Sequence, residues 1–248
     1  MKACLASLAV AASLCAAPAA AQEAITFSSW GQLMVVDDGL GLFGPAGMSH
    51  EGLGFSSSIT IDTAGLLGTV SPGYAWFRPG GDSIGHVFGV LNLNSQTFYW
   101  GFDGNVEAGL NREFNSAFVF AGGVDTTTGL EVYARAAIEP ESGSEQFVVA
   151  DDYREAIDFY DVRNRRDEMG SWLPPLYLSL SGTLPCSTCP GGTISGSTLL
   201  VADEPAYARW EVNPVPEPAH WMMLAGGLAL LAARRTRLWV SARYTSPD

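Results

Sequence analysis

The sequence predicts an all-β protein, a single β-sandwich or jelly-roll-like domain with one short helix, flanked by a signal helix at the N-terminus and an apolar helix at the C-terminus. Three observations carry this. Between Gln22 and Asn213 apolar and polar residues alternate in short runs, the period of strands buried on one face. The runs are rich in β-branched and aromatic residues, and clusters of Gly, Pro, Asn and Asp interrupt them at close intervals. At the two ends the alternation gives way to the apolar run Ala3 to Ala17 and the uncharged, mostly apolar run Ala219 to Ala233.

In chain order, Lys2 precedes the first apolar stretch and Ala19-Ala20-Ala21 follows it. A positive start, a short apolar run and small residues at the A-x-A positions predict a secretory signal peptide over 1–21, cleaved between Ala21 and Gln22. A buried helix would instead show a polar face.

The exported body, 22–213, then offers strands at Ser58–Ile61, Val87–Leu93, Gln96–Phe102, Phe114–Phe120, Leu130–Ala136, Leu176–Ser181 and Tyr207–Val212. Turn signals fall at Pro79–Asp82, Asp103–Asn105, Gly122-Gly123 and Asp125–Gly129. Many short strands with such punctuation predict one sandwich or jelly-roll of about 190 residues. Asp151 to Glu168 breaks the pattern. Tyr153, Ala156, Ile157 and Tyr160 stand at helical spacing, acids lead, Arg163, Arg165 and Arg166 close the segment and Gly170 follows. That order complements a helix dipole and supplies a stop, so the segment is predicted as the short helix.

The last stretch runs Val215-Pro216-Glu217-Pro218, then fifteen uncharged residues to Ala233, then Arg234-Arg235-Thr236-Arg237. Helical, residues 219–233 reach about 22 Å, a marginal span of a bilayer core. Arginines after the apolar run stay cytoplasmic, which leaves the body on the far side of the membrane. An uncleaved single-span anchor satisfies the same hydropathy.

Triplet, short apolar helix and basic stop, in that order, resemble the PEP-CTERM sorting signal of Gram-negative bacteria over residues 214–237, with Pro216, Glu217 and Pro218 on the motif and Arg234, Arg235 and Arg237 as its basic stop. The resemblance implies a partner, an exosortase, which cuts near the triplet after the general secretion machinery has exported the chain and the inner membrane has held it transiently. It also implies delivery to the cell surface or extracellular matrix, in association with exopolysaccharide. Leu238–Asp248 continues past the arginines as an extra tail, longer than such signals usually carry.

Charge narrows the body's chemistry. The chain has a formal net charge of −13, Lys2 is its sole lysine, and residues 22–214 hold 24 acidic and 8 basic side chains. Such a field repels phosphate backbones, so nucleic acid is excluded as a partner. Cys186 and Cys189 form a C-x-x-C followed by Pro190, Gly191 and Gly192. A redox motif needs a helix N-terminus and structural zinc needs two more ligands, so a disulfide in a hairpin loop is expected in an oxidising compartment. His50 and His86 sit in no H-E-x-x-H, and no G-x-S-x-G occurs. Asp37-Asp38, Asp62, Asp125 and Asp151-Asp152 offer oxygens of the kind calcium takes, but no EF-hand loop frames them. No cofactor, metal site or enzymatic activity is therefore expected, although 24 acids leave room for a chance carboxylate pair of the glycosidase kind. In Phe98–Phe102 alternation sends Phe98, Trp100 and Phe102 to one face and Tyr99 to the other, and Trp76 and Phe77 alternate likewise. Trp76 and Trp100 are the candidate stacking residues for sugar rings if their face is open; burial in the core is the structural alternative. The expected function is structural or adhesive, with a glycan-binding module as the alternative and a secreted hydrolase third.

Overall fold

The computed structural model describes residues 23–49, 51–80, 84–93, 95–140, 145–160 and 176–214. They form eleven strands: β1 Glu23–Asp38, β2 Gly54–Asp62, β3 Leu66–Ser71, β4 Tyr74–Pro79, β5 Gly85–Leu93, β6 Gln96–Asn111, β7 Ser116–Val124, β8 Glu131–Ile138, β9 Ile157–Tyr160, β10 Leu176–Pro185 and β11 Thr193–Pro214.

Eight of them close into an antiparallel barrel in the order β1-β2-β5-β6-β7-β8-β10-β11, with β11 returning beside β1. The β3–β4 hairpin is an excursion that pairs with the far half of β6, and β9 pairs with the far half of β11. The barrel replaces the expected sandwich or jelly-roll. Alternation reads the same in either architecture, because each demands one buried face per strand; closure depends on β1 meeting β11 and β6 meeting β7, pairings that local pattern does not encode.

The interior is apolar and filled. Ile25, Phe27, Ile59, Leu91, Val106 and Leu180 point inward with almost no exposure, while Ser56, Ser58 and Thr60 of β2 alternate outward and Ser57 joins the buried face. This is the inverse of a porin-type barrel, whose outer band is apolar and whose lumen is polar. Glycines make room for rings. A Cβ on Gly89 would lie 2.0 Å from the indole of Trp100, its direct partner across β5 and β6, and a Cβ on Gly123 would lie 2.4 Å from the Phe102 ring. Here the turn reading of Asp103–Asn105 and Gly122-Gly123 is corrected. Both lie within strands, and Gly104 and Gly123 serve close approach of the Phe102 ring to backbone instead of chain reversal.

The short helix is corrected as well. Within its described part Ile157–Tyr160 is a strand in register with Tyr207–Trp210, because the open edge of β11 supplies backbone partners that an isolated helical turn lacks. Phe159 is buried and Tyr160 exposed, the reverse of the helical expectation; residues 161–168 lie outside the described residues.

Both mouths of the barrel are covered. At one, the turn after β1 drives Phe43 inward, edge-on to Phe98 with ring centroids 6.2 Å apart. At the other, residues 145–156 form a strap across the ends of β1, β4, β6 and β11. Tyr153 packs on Phe77, and its carbonyl accepts the indole N–H of Trp210 at 2.9 Å.

Candidate functional site

The structure sorts the residues that the sequence singled out. Cys186 and Cys189 are joined in a disulfide at the tip of the β10–β11 hairpin. Trp100 is 3% exposed and stacks on Phe102 inside the barrel, so it offers no platform to a sugar; its place opposite Gly89 explains why the core takes it. Trp76 is half-exposed on β4 and meets Phe118 edge-on, with centroids 6.2 Å apart. Ala21, Gln22, Pro216, Glu217, Pro218, Arg234, Arg235, Arg237 and His50 have no structure assigned: the signal-peptide site, the sorting triplet, the basic stop and helix 219–233 lie outside the described residues. Among the described residues no helix is long and apolar enough to cross a membrane.

The turn aspartates are engaged by backbone N–H groups and side chains of the chain itself. Asp38 is fully buried and accepts the N–H groups of Leu42 and Phe43 at 2.9 and 2.8 Å and the hydroxyl of Thr198 at 2.9 Å. Asp125 accepts Gly101 N–H at 2.8 Å and both the N–H and the hydroxyl of Thr128. Burial alone would raise the Asp125 pKa, but these hydrogen bonds outweigh it and hold the carboxyl below its ordinary 3.8. Asp62 accepts Ala64 N–H, and Asp151 pairs with Arg112. These carboxylates shape turns. Among the described residues no group of three or more His, Cys, Asp or Glu is placed to hold a metal ion.

A cleft of about 810 Å³ opens at the strap end between the β3–β4 and β6–β7 turns, lined by Gly73, Tyr74, Arg112, Glu113 and Gln146 among others. Glu113 is its one acidic lining residue among those described, where glycoside hydrolysis takes two carboxylates.

The outer wall holds the best-organised set of exposed groups. Register places Tyr160 beside Tyr207, Trp30 beside Ser56, Ser56 beside Asn92 and Asn92 beside Thr97. The Trp30 and Tyr207 rings lie 4.8 Å apart and join the two halves, and Tyr207 lies 5.1 Å from Tyr160. One transverse row therefore crosses β9, β11, β1, β2, β5 and β6, three aromatic rings followed by three short polar side chains. The polar half is itself hydrogen-bonded: Asn92 Nδ2 donates to Ser56 Oγ at 3.0 Å, and Thr97 Oγ1 donates to Asn92 Oδ1 at 2.6 Å. Trp30 is 39% and Tyr160 58% exposed. Parallel rows bring Ser28, Ser58, Val90 and Tyr99 together, and Thr26, Thr60 and Phe88.

Charge is confined to the borders of this face. At the aromatic end Tyr207 donates its hydroxyl to Asp158 at 2.5 Å, and Arg209 reaches Asp158 at 3.3 Å and Glu211 at 3.5 Å. Burial and that hydrogen bond raise the Tyr207 phenol above its ordinary 10.0. At the other border His86 pairs with Asp103. The sequence pointed to Trp76 and Trp100 and passed over Trp30, Tyr160 and Tyr207. The available signal was Trp30 in the Ser/Thr-rich run of β1, in step with Thr26 and Ser28 on the outward face and out of step with the buried Phe27.

No family model matches the chain, and neither a curated protein nor a solved structure matches it.

Proposed function

We propose that the protein is an exported, non-enzymatic cell-surface or extracellular-matrix component with a structural or adhesive role, sorted by an exosortase through its Pro-Glu-Pro signal and working through the outside of its barrel. One observation carries the last part. The barrel is packed with side chains and covered at both mouths by Phe43 and Tyr153, so contact with a large partner falls to the outer wall. The disulfide in the β10–β11 hairpin supports an oxidising destination. The two terminal segments and the resemblance of residues 214–237 support export and sorting.

The test is cell fractionation with intact-mass measurement of the protein recovered from the cell exterior. A product beginning at Gln22 and ending near Pro218 is expected, and Pro216→Ala with Glu217→Ala should leave the precursor in the inner membrane. A surface form that keeps Leu238–Asp248 overturns the sorting. Release of reducing ends from the host's exopolysaccharide in proportion to protein overturns the non-enzymatic reading.

A further inference from the structure

We infer that the outer wall from β9 to β6 is a binding surface for an extended, electrically neutral polysaccharide, whose sugar rings stack on Tyr160 and Trp30 while its hydroxyls bond to Ser56, Asn92 and Thr97. This rests on the matrix role proposed above and names the ligand class for it.

The row has the two kinds of group that sugars require. A pyranose presents a face of C–H groups and an equator of hydroxyls. Exposed aromatic rings take the first, and short amide and hydroxyl side chains take the second. Five strand spacings of about 4.8 Å make the row about 24 Å long, the reach of an oligosaccharide segment and not of one ring. Because Asn92 is already bonded to both Ser56 and Thr97, the polar half is held in place before ligand arrives, which lowers the ordering cost of binding. Each member keeps capacity to spare: Ser56 its own O–H, Asn92 a second N–H, and Thr97 a free lone pair.

Charge selects among polymers. On the stretches of the central four strands that hold the row and its two parallel rows, the outward residues, Thr26, Ser28 and Trp30 on β1, Ser56, Ser58 and Thr60 on β2, Phe88, Val90 and Asn92 on β5, and Thr97 and Tyr99 on β6, carry no acid, Lys, Arg or His; Asp62, His86 and Asp103 follow on the same faces only past those rows, at the border. The rows form an uncharged field in a chain whose formal net charge is −13. A polyanion approaching it meets the repulsion of the surrounding acids, and a polycation is drawn to those acids and away from this uncharged face. A neutral chain is the partner that such a face complements.

The experiment is affinity electrophoresis of the full chain in mild detergent, through gels containing soluble neutral polymers (mixed-linkage β-glucan, galactomannan, dextran or the neutral fraction of the host's exopolysaccharide), alginate as polyanion or chitosan as polycation. Retardation is expected with a neutral polymer, and not with alginate. Trp30→Ala and Tyr160→Ala should each weaken retention about tenfold. Trp30→Phe should restore part of it. Asn92→Asp, close in shape, guards against a folding artefact: it should leave the melting transition near its original temperature and still lower retention. Equal retention by alginate, no retention by any neutral polymer, or unchanged retention on the neutral polymers in the Trp30→Ala/Tyr160→Ala double variant each overturns the inference, and retention by chitosan should be the same in that variant as in the parent, because it reads the acids and not the row. Failure of retention by a protein that fractionates to the cell exterior leaves the proposed role standing. Retention by a protein that never leaves the inner membrane refutes that role alone.

Discussion

The two mouths of the barrel face the same problem, an apolar interior that must be shielded from water, and they meet it with opposite chemistry. At the Asp38 end the covering loops are organised by buried carboxylates that accept hydrogen bonds from uncharged donors: Asp38 from Leu42, Phe43 and Thr198, and Asp125 from Gly101 and Thr128. At the strap end the cover is held by Tyr153, which donates to Glu23 at 2.5 Å, and by half-exposed ion pairs, Arg154 with Glu23 at 2.6 Å and Arg112 with Asp151. A buried acceptor cannot be replaced by water, whereas an exposed ion pair exchanges readily with solvent. The first mouth should therefore depend on single residues, and the second on the sum of several weak contacts.

The sharpest break in the comparison is Asp38→Ala. It strands several buried donors at once and lets Phe43 out of the mouth, so a loss of about 3 kcal/mol is expected by urea unfolding. A loss no larger than that of the exposed pairs would erase the distinction between the mouths.

Next in size is a split in pH response. The Asp125 carboxyl is held below its ordinary 3.8 in the fold. Its stabilisation is thus present above about pH 4 and is lost as pH falls through the depressed native value. The Tyr153 phenol is pushed up to about 12, by burial first and then by its hydrogen bond to Glu23 and that residue's charge. Its contribution is present below about pH 10 and is lost as pH rises through about 12. Unfolding midpoints followed across pH should show an acid limb flattened by Asp125→Asn and an alkaline limb flattened by Tyr153→Phe, each variant leaving the opposite limb in place. Both limbs moving together in either variant would mean that the mouths do not act separately.

The smallest effect belongs to Arg154→Ala. Arg154 lies over the Tyr153 ring at 4.5 Å and is 53% exposed, so a loss of about 0.5 kcal/mol, shrinking with added salt, is expected from denaturant curves at two ionic strengths.

Much of the wall was legible before its shape. The runs Ser58–Ile61, Val87–Leu93 and Gln96–Phe102 are strands, Trp100 and Phe102 face inward and Tyr99 outward, and the Cys186–Cys189 pair marks a hairpin tip. The segment from Asp151 was misread because Tyr153, Ala156, Ile157 and Tyr160 match a helical period as well as Ile157 and Phe159 match a strand, and only the free edge of β11 favours the strand β9. The candidate site was hardly legible. Its six members come from positions 30, 56, 92, 97, 160 and 207, and none of them forms a motif with its sequence neighbours.

Sequence alone determined which face of most strands is apolar, because successive side chains point to opposite sides and a buried face must alternate. It also placed the Asp125–Gly129 turn and determined that the body is acidic. Tertiary structure decided the rest. The return of β11 beside β1 turned an alternating chain into a closed barrel, the covered mouths put the aromatic core out of reach of any sugar, and strand register drew Tyr160, Tyr207, Trp30, Ser56, Asn92 and Thr97 into one row. The physical reason is range: alternation is a property of adjacent residues, whereas closure and register are set by backbone hydrogen bonds between segments as far apart as the first and last strands.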